Sequence, residues 1–296
     1  MRRKLRSCIR IGFALGTIVL LGAQPVRWGD HGHRISARAA VTWLPAEMPA
    51  FFRQAADELE YLNPEPDRWR SDRSPEMRDA YQYDHFIDFE LVPPQAMRAS
   101  SRFAYLAALQ RAGTTVSAGL LPFRIVELHQ RLTTEFRRWR AAPDAQQRTW
   151  IERRIIQDAG ILGHYVTDGA NPHHTTVHHN GWAEGYPNPN GFTMDRQFHR
   201  RFESEYVGAR IRAEELLATT AAPVRVIQDV RAETFEHLNR SHALLERLYV
   251  LDGEASFGEA NQSPAHHQFA VERLAAGAAM LRDLWWSAWV NSAQPR

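Results

Sequence analysis

The chain of 296 residues has one cysteine, Cys8, and one lysine, Lys4, both near its start. Beyond that start no disulfide can form, and no thiolate is offered as nucleophile or metal ligand. Any bound metal must be held by nitrogen and oxygen donors, and every later cationic side chain is Arg or His. Sustained period-2 alternation is missing, as are internal repeats and low-complexity tracts. A disulfide scaffold, a β-sandwich and a repeat solenoid are thereby excluded. No G-x-S-x-G turn occurs either, so the sequence offers no elbow for a serine nucleophile.

Long apolar runs are also missing. The stretch Ile11 to Ala23 covers 13 residues, against the ~20 that span a bilayer. It follows the segment MRRKLRSCIR, which carries five positive charges and no negative one. Basic start, short apolar stretch and small residues predict a secretory signal peptide over residues 1–23, with no transmembrane anchor. The remaining chain, 24–296, is then exported, to the periplasm or beyond the cell. Removing five positives from a formal net charge of +2 leaves −3, which gives no support for a nucleic-acid-binding surface.

What is present is helical patterning. Apolar residues recur near every 3.6 positions over Ala37 to Phe52 (interrupted at Pro45), Leu121 to Trp139, Ile151 to Val166, Val224 to Leu251 and Gln268 to Trp289. Pro122 falls in a first turn, where proline is tolerated. The segment Asn63 to Pro75, rich in Pro and Arg, and the segment Asn171 to Phe192, rich in Pro and Gly, read as irregular. No linker divides the pattern, so the expected fold is all-α, a single multi-helix domain.

Six of the 14 histidines lie between His164 and His199. His164 and Asp168 are four apart at a helix end and so share a face; His199 and Glu203 repeat the arrangement. His173 and His174 follow the first pair directly. Either pair alone recurs by chance. Together with a His-rich loop they suit a borderline ion such as zinc, bound through N and O.

In this arrangement the chain resembles the superfamily of zinc-dependent phospholipases C and single-strand-specific zinc nucleases. The shared pattern H-x3-D-x5-H followed by H-x3-E is carried by His164, Asp168, His174, His199 and Glu203. Trp28-Gly29-Asp30-His31-Gly32-His33 is similar to the family's mature N-terminus, Asp84-His85-Phe86-Ile87-Asp88 to the segment bearing another ligand, and Pro66-Asp67-Arg68-Trp69-Arg70 to the place of a ligand Asp. The similarity runs from Trp28 to about Val207. It implies a trinuclear zinc site between helices. One ion would take Asp67, His85, His164 and Asp168; a second His174, His199 and Glu203; a third His33, bridging Asp168, and the amino nitrogen and carbonyl oxygen of Trp28. Asp67, Asp168 and Glu203 become the candidate catalytic carboxylates. Two points depart from the pattern. Cleavage after Ala23 would leave Trp28 with an amide rather than an amine, and Asp72 competes with the preferred Asp67. His31, His173, His178 and His179 stay outside the ligand sets and read first as solvated.

The resemblance implies hydrolysis of a phosphodiester by metal-activated water. Glu203 and the missing cysteines look like the phospholipase branch. The Trp28–His33 spacing and the Phe86/Asp88 pair, which in the nuclease branch helps form a base pocket, look like the other. Trp182 and Tyr186 could serve a base or a lipid. The balance favours a phospholipase C-like reading, with single-stranded nucleic acid as the alternative substrate and a non-catalytic zinc-binding module as a third reading. No obligate protein partner is evident.

Overall fold

In the computed structural model, which describes residues 28–294, the periodic stretches become helices, and no strand forms among those residues. Two isolated β-bridges, Ile87 with Gly119 and His179 with Gly181, are formed. The first helix, α1 (Trp28–Thr42), starts well before the expected position and stops ahead of Pro45. Short helices α2 (Ala50–Gln54), α3 (Ala56–Leu62), α4 (Glu65–Arg70) and α5 (Pro75–Tyr81) follow. Here the expectation of an irregular 63–75 fails: Pro66 and Pro75 sit in first turns, where the missing N–H has no intrahelical partner to lose.

After α6 (Arg102–Arg111) come the long helices α7 (Leu121–Arg140) and α8 (Ala145–Asp168), joined by so short a turn that they pack as antiparallel neighbours. Leu121, Ile125, Leu128, Leu132 and Phe136 form the buried stripe of α7, each worth about 1.5–3 kcal/mol of transfer from water. Asp144 caps α8 by accepting from the Gln147 N–H at 2.8 Å. Beyond it lie α9 (Phe198–Arg200), a π-helical stretch Arg201–Tyr206, α10 (Val207–Arg210), α11 (Ala213–Thr220), α12 (Val230–His242), α13 (Leu245–Glu254) and α14 (Pro264–Asn291). The expected helix over Val224 to Leu251 is thus two helices with an extended lead-in. Residues 224–229 do not coil because their donors are taken elsewhere: the Ile227 N–H goes to Ser287 Oγ at 2.7 Å and that of Arg225 to Asp283 Oδ1 at 3.3 Å.

Helix α14 packs on α1, α7, α8 and α11. Its Trp285 is wholly buried, donates from Nε1 to the Ala159 carbonyl at 3.2 Å and meets Phe52 edge-on at 5.3 Å. A smaller cluster around Tyr105 and Phe123 lies beside the main core. No helix among the described residues is long and apolar enough to cross a membrane. The expected leader, residues 1–23, lies outside the described residues.

Candidate metal centre

Helix α8 ends buried on every side: residues 158–168 have no exposed face. A helix closed all round must place its polar side chains against partners, and His164 and Asp168 meet theirs at its C-terminal end. Asp168 stands among four imidazoles. Its Oδ2 lies 3.0 Å from His85 Nδ1 and 3.2 Å from His164 Nε2. Its Oδ1 lies 3.3 Å from His33 Nε2 and 3.7 Å from His174 Nδ1. Asp67, on α4, brings Oδ1 to 3.8 Å from both His85 Nδ1 and His164 Nε2. On the far side His199 touches Glu203, and His174 Nε2 lies 3.4 Å from Glu203 Oε2. Three groups result that could each hold a metal ion: His33, His164 and Asp168; Asp67, His85 and His164; His174, His199 and Glu203.

Local structure explains why the rings point inward. His164 Nδ1 donates to the Asn63 carbonyl at 2.9 Å, and His174 Nδ1 donates to the His85 carbonyl at 2.7 Å. Each bond fixes the ring's orientation and turns Nε2 toward the carboxylates of the cluster, the usual device for orienting a metal-binding imidazole. Asn63 can approach α8 only because residue 163 is glycine; a Cβ there would lie 2.2 Å from Asn63 Nδ2. The segment carrying His85 is held in the same manner. Gly119, at φ +87°, lets the chain pass where a Cβ would lie 2.0 Å from the Phe86 carbonyl oxygen. Glu203 rides on the π-helical stretch, a widened turn of the kind found at functional sites.

The protonation states fit cations as well. Burial alone would raise the Asp168 and Glu203 carboxyls, yet His164 and His174 hold the first, and His199 and His174 the second, well below the usual carboxylate range. Burial would likewise raise Asp67, which Arg70 and His164 instead hold down. Burial drives His85 down to about 3. His174 goes the other way: despite burial, the charges of Asp168 and Glu203 raise it to about 9. Two buried anions therefore draw a proton onto an imidazole that could equally share a metal ion. His33 Nδ1 and His85 Nε2 are buried with no hydrogen-bond partner. Neutral imidazoles and ionised carboxylates are the forms that bind metal, and an all-N/O donor set suits zinc and other divalent ions.

Of the residues singled out in the sequence, His33, Asp67, His85, His164, Asp168, His174, His199 and Glu203 come together here. Trp28 is the first residue of α1, ahead of His33 on the same helix. Asp72 lies apart and exposed, accepting from the Ser74 N–H at 2.8 Å. Phe86 is half-buried, with its ring edge toward Tyr83 at 6.4 Å. Asp88 is buried with Oδ1 unpartnered, and burial, reinforced by Glu90, pushes its carboxyl up to about 7.

The solvated reading is corrected for two histidines. His173 is buried against Phe198, Phe202 and His199. His178 is buried and stacks on Trp182 at 3.8 Å. Both lie in a loop that folds back over the helices, which local polarity does not reveal. His31 donates from Nε2 to the Ile211 carbonyl at 2.9 Å. His179 is half-buried, its ring 6.4 Å from that of His199. Sequence reading passed over Arg70, whose Nε lies 2.7 Å from Asp67 Oδ1, and Asn171, whose Nδ2 donates to Glu203 Oε2 at 3.4 Å. The i,i+3 spacing of Asp67 and Arg70 was the available signal for the first.

No protein-family model matches the chain, and no curated protein sequence matches it.

Proposed function

We propose that the chain is an exported zinc-dependent hydrolase of phosphodiester bonds, of the phospholipase C and single-strand nuclease type, acting on phospholipid. The observation that carries this reading is the meeting of three His/carboxylate groups around Asp168. Asp67, His85 and His164 with Asp168 would hold one ion, and His174, His199 and Glu203 a second. His33 and Asp168 would hold a third, completed by the Trp28 backbone if processing exposes its amine. Bound zinc would supply a water acidified toward pKa ~7 and would draw charge from the phosphoryl oxygens.

The chain's own residues do the rest. Asp168, Glu203 and Asp67 stay ionised and concentrate negative charge where cations are needed. The Asn63 and His85 carbonyls keep His164 and His174 aimed. Arg70, against Asp67, adds one positive charge beside the cluster, available to a phosphate oxygen when a metal relieves it of Asp67.

The test is a side-by-side assay of zinc-loaded protein on phosphatidylcholine vesicles and single-stranded DNA at matched phosphate. Phosphocholine release with DNA intact is expected. DNA cleavage with lipid intact would transfer the protein to the nuclease reading and put a base beside Phe86. Full zinc with no turnover of either would make it a binding module.

A further inference from the structure

Away from the metal centre, Val126, His129, Gln130, Thr133 and Arg137 of α7 and residues 228–231 line an open cavity of about 630 Å³. None of its lining belongs to the metal groups. Val126 and His129 are its buried floor. His129 is only 5% exposed, and its Nε2 has no hydrogen-bond partner. A buried polar atom left so loses about 1–3 kcal/mol relative to a bonded one. Burial also keeps this imidazole neutral, pushing it down to about 4.

Two turns along the same helix, Arg137 is left over in a similar way. Its neighbours are engaged: Arg138 pairs with Glu135 at 3.5 Å, and Arg140 donates to Ser292 Oγ at 2.8 Å and the Trp289 carbonyl at 3.0 Å. Arg137 makes no ion pair among the described residues, and its Nε is buried without an acceptor. The facing wall is the first turn of α12, where helix amides lack intrahelical acceptors and the dipole is positive. Asp229 takes the Ala232 N–H at 2.9 Å, and the Val230 and Arg231 amides remain. The Arg231 guanidinium is bonded to the Ala99 and Ser100 carbonyls at 3.1 and 2.9 Å, so it contributes charge rather than free donors. Two guanidiniums thus stand against one carboxylate, that of exposed Asp229, which is already occupied as a cap.

We propose that this cavity is a binding site for a compact oxyanion, a phosphate ester or a carboxylate. The anion would be held by Arg137 on α7 and by the first-turn amides of α12, above the buried His129. A guanidinium opposite a helix N-terminus is the arrangement that recognises such groups through charge-assisted hydrogen bonds.

Calorimetric titration of the full chain with inorganic phosphate, and separately with citrate, tests the assignment. At least one anion should bind, and Arg137→Gln should weaken it about tenfold, the effect of losing one charge-assisted hydrogen bond. Arg137→Lys should fall between. His174→Ala, which disrupts only the separate metal group, should leave this binding in place. Binding of phosphate alone would identify a phosphate ester as the occupant, and binding of both a general oxyanion site. The assignment is overturned if neither anion binds, if a folded Arg137→Gln variant binds like wild type, or if His174→Ala abolishes all binding.

Discussion

Replacing Gly163 with Ala would add one methyl group where the packing has no room for it. A Cβ at that position would lie 2.2 Å from Asn63 Nδ2, 3.0 Å from Leu281 Cδ2 and 3.2 Å from Asn63 Cγ. Two opposing effects can be weighed. Alanine in a helix interior gains about 1 kcal/mol over glycine, whereas overpacking a well-filled core costs about 1–3 kcal/mol. Asn63 is wholly buried and cannot swing away into solvent, so the penalty belongs at the upper end, and a net loss of about 1–2 kcal/mol follows. A second effect matters more for function. Asn63 must shift, and its carbonyl is the acceptor that orients His164 at 2.9 Å. Loss of such an outer contact typically lowers metal affinity by about 10–100-fold. The control is Gly253→Ala on α13, where an added Cβ meets nothing within 4 Å and only the propensity gain should register. Denaturant unfolding and competitive zinc titration of both variants give the answer. A Gly163→Ala protein that gains stability like Gly253→Ala and binds zinc as wild type does would refute the claim that Asn63 positions His164.

Further predictions concern the scaffold. His129 and His237 are buried neutral, and burial pushes each down to about 4. Protonation therefore favours the unfolded chain, whose histidines titrate near 6.5. Stability should be full above pH ~6.5 and fall as pH drops toward 4, by up to about 3 kcal/mol per group. Unfolding measured against pH in phosphate-free buffer should show a shallower fall in His237→Gln than in wild type; identical slopes would contradict the assignment. Arg201 begins the π-helical stretch and grips Asp252 through contacts of 2.9 and 3.1 Å, while also donating to the Phe257 carbonyl at 2.9 Å. Arg201→Met leaves the buried Asp252 carboxylate without its counter-ion and should destabilise by about 3 kcal/mol. A change within 0.5 kcal/mol in denaturant unfolding would show that the pair adds no more than a surface contact, for which ~0–1 kcal/mol is usual.

The parts of this fold that local periodicity can reveal were legible in the sequence. Helix α7 buries a stripe repeating every three or four residues and has nearly the expected limits, whereas α8 and α14, more fully buried, begin at Ala145 and Pro264, ahead of the expected Ile151 and Gln268. Residues 65–70 form a helix against expectation because proline, a breaker inside a helix, starts one when it sits in the first turn. Residues 224–229 were misjudged for a nonlocal reason: Ser287 and Asp283, on α14, take backbone donors that a helix would have used. The metal cluster divides in the same way. His164 with Asp168 and His199 with Glu203 announce themselves by i,i+4 spacing. His33, Asp67 and His85 come from distant segments, and only motif resemblance pointed to them. The burial of His173 and His178, the service of the Asn63 carbonyl and the unpartnered His129 under its cavity are products of tertiary packing, without a local signature.

The central claim is that the residues around Asp168 hold metal, and zinc content tests it most directly. The full chain would be loaded with zinc, dialysed against metal-free buffer, and assayed for bound metal by elemental analysis, beside Asp168→Asn. Two or three zinc ions per wild-type chain are expected, corresponding to the three groups, two of which share His164, with a clear loss in Asp168→Asn at unchanged helical content. Less than one zinc per folded wild-type chain, or equal zinc in the two proteins, would contradict the account.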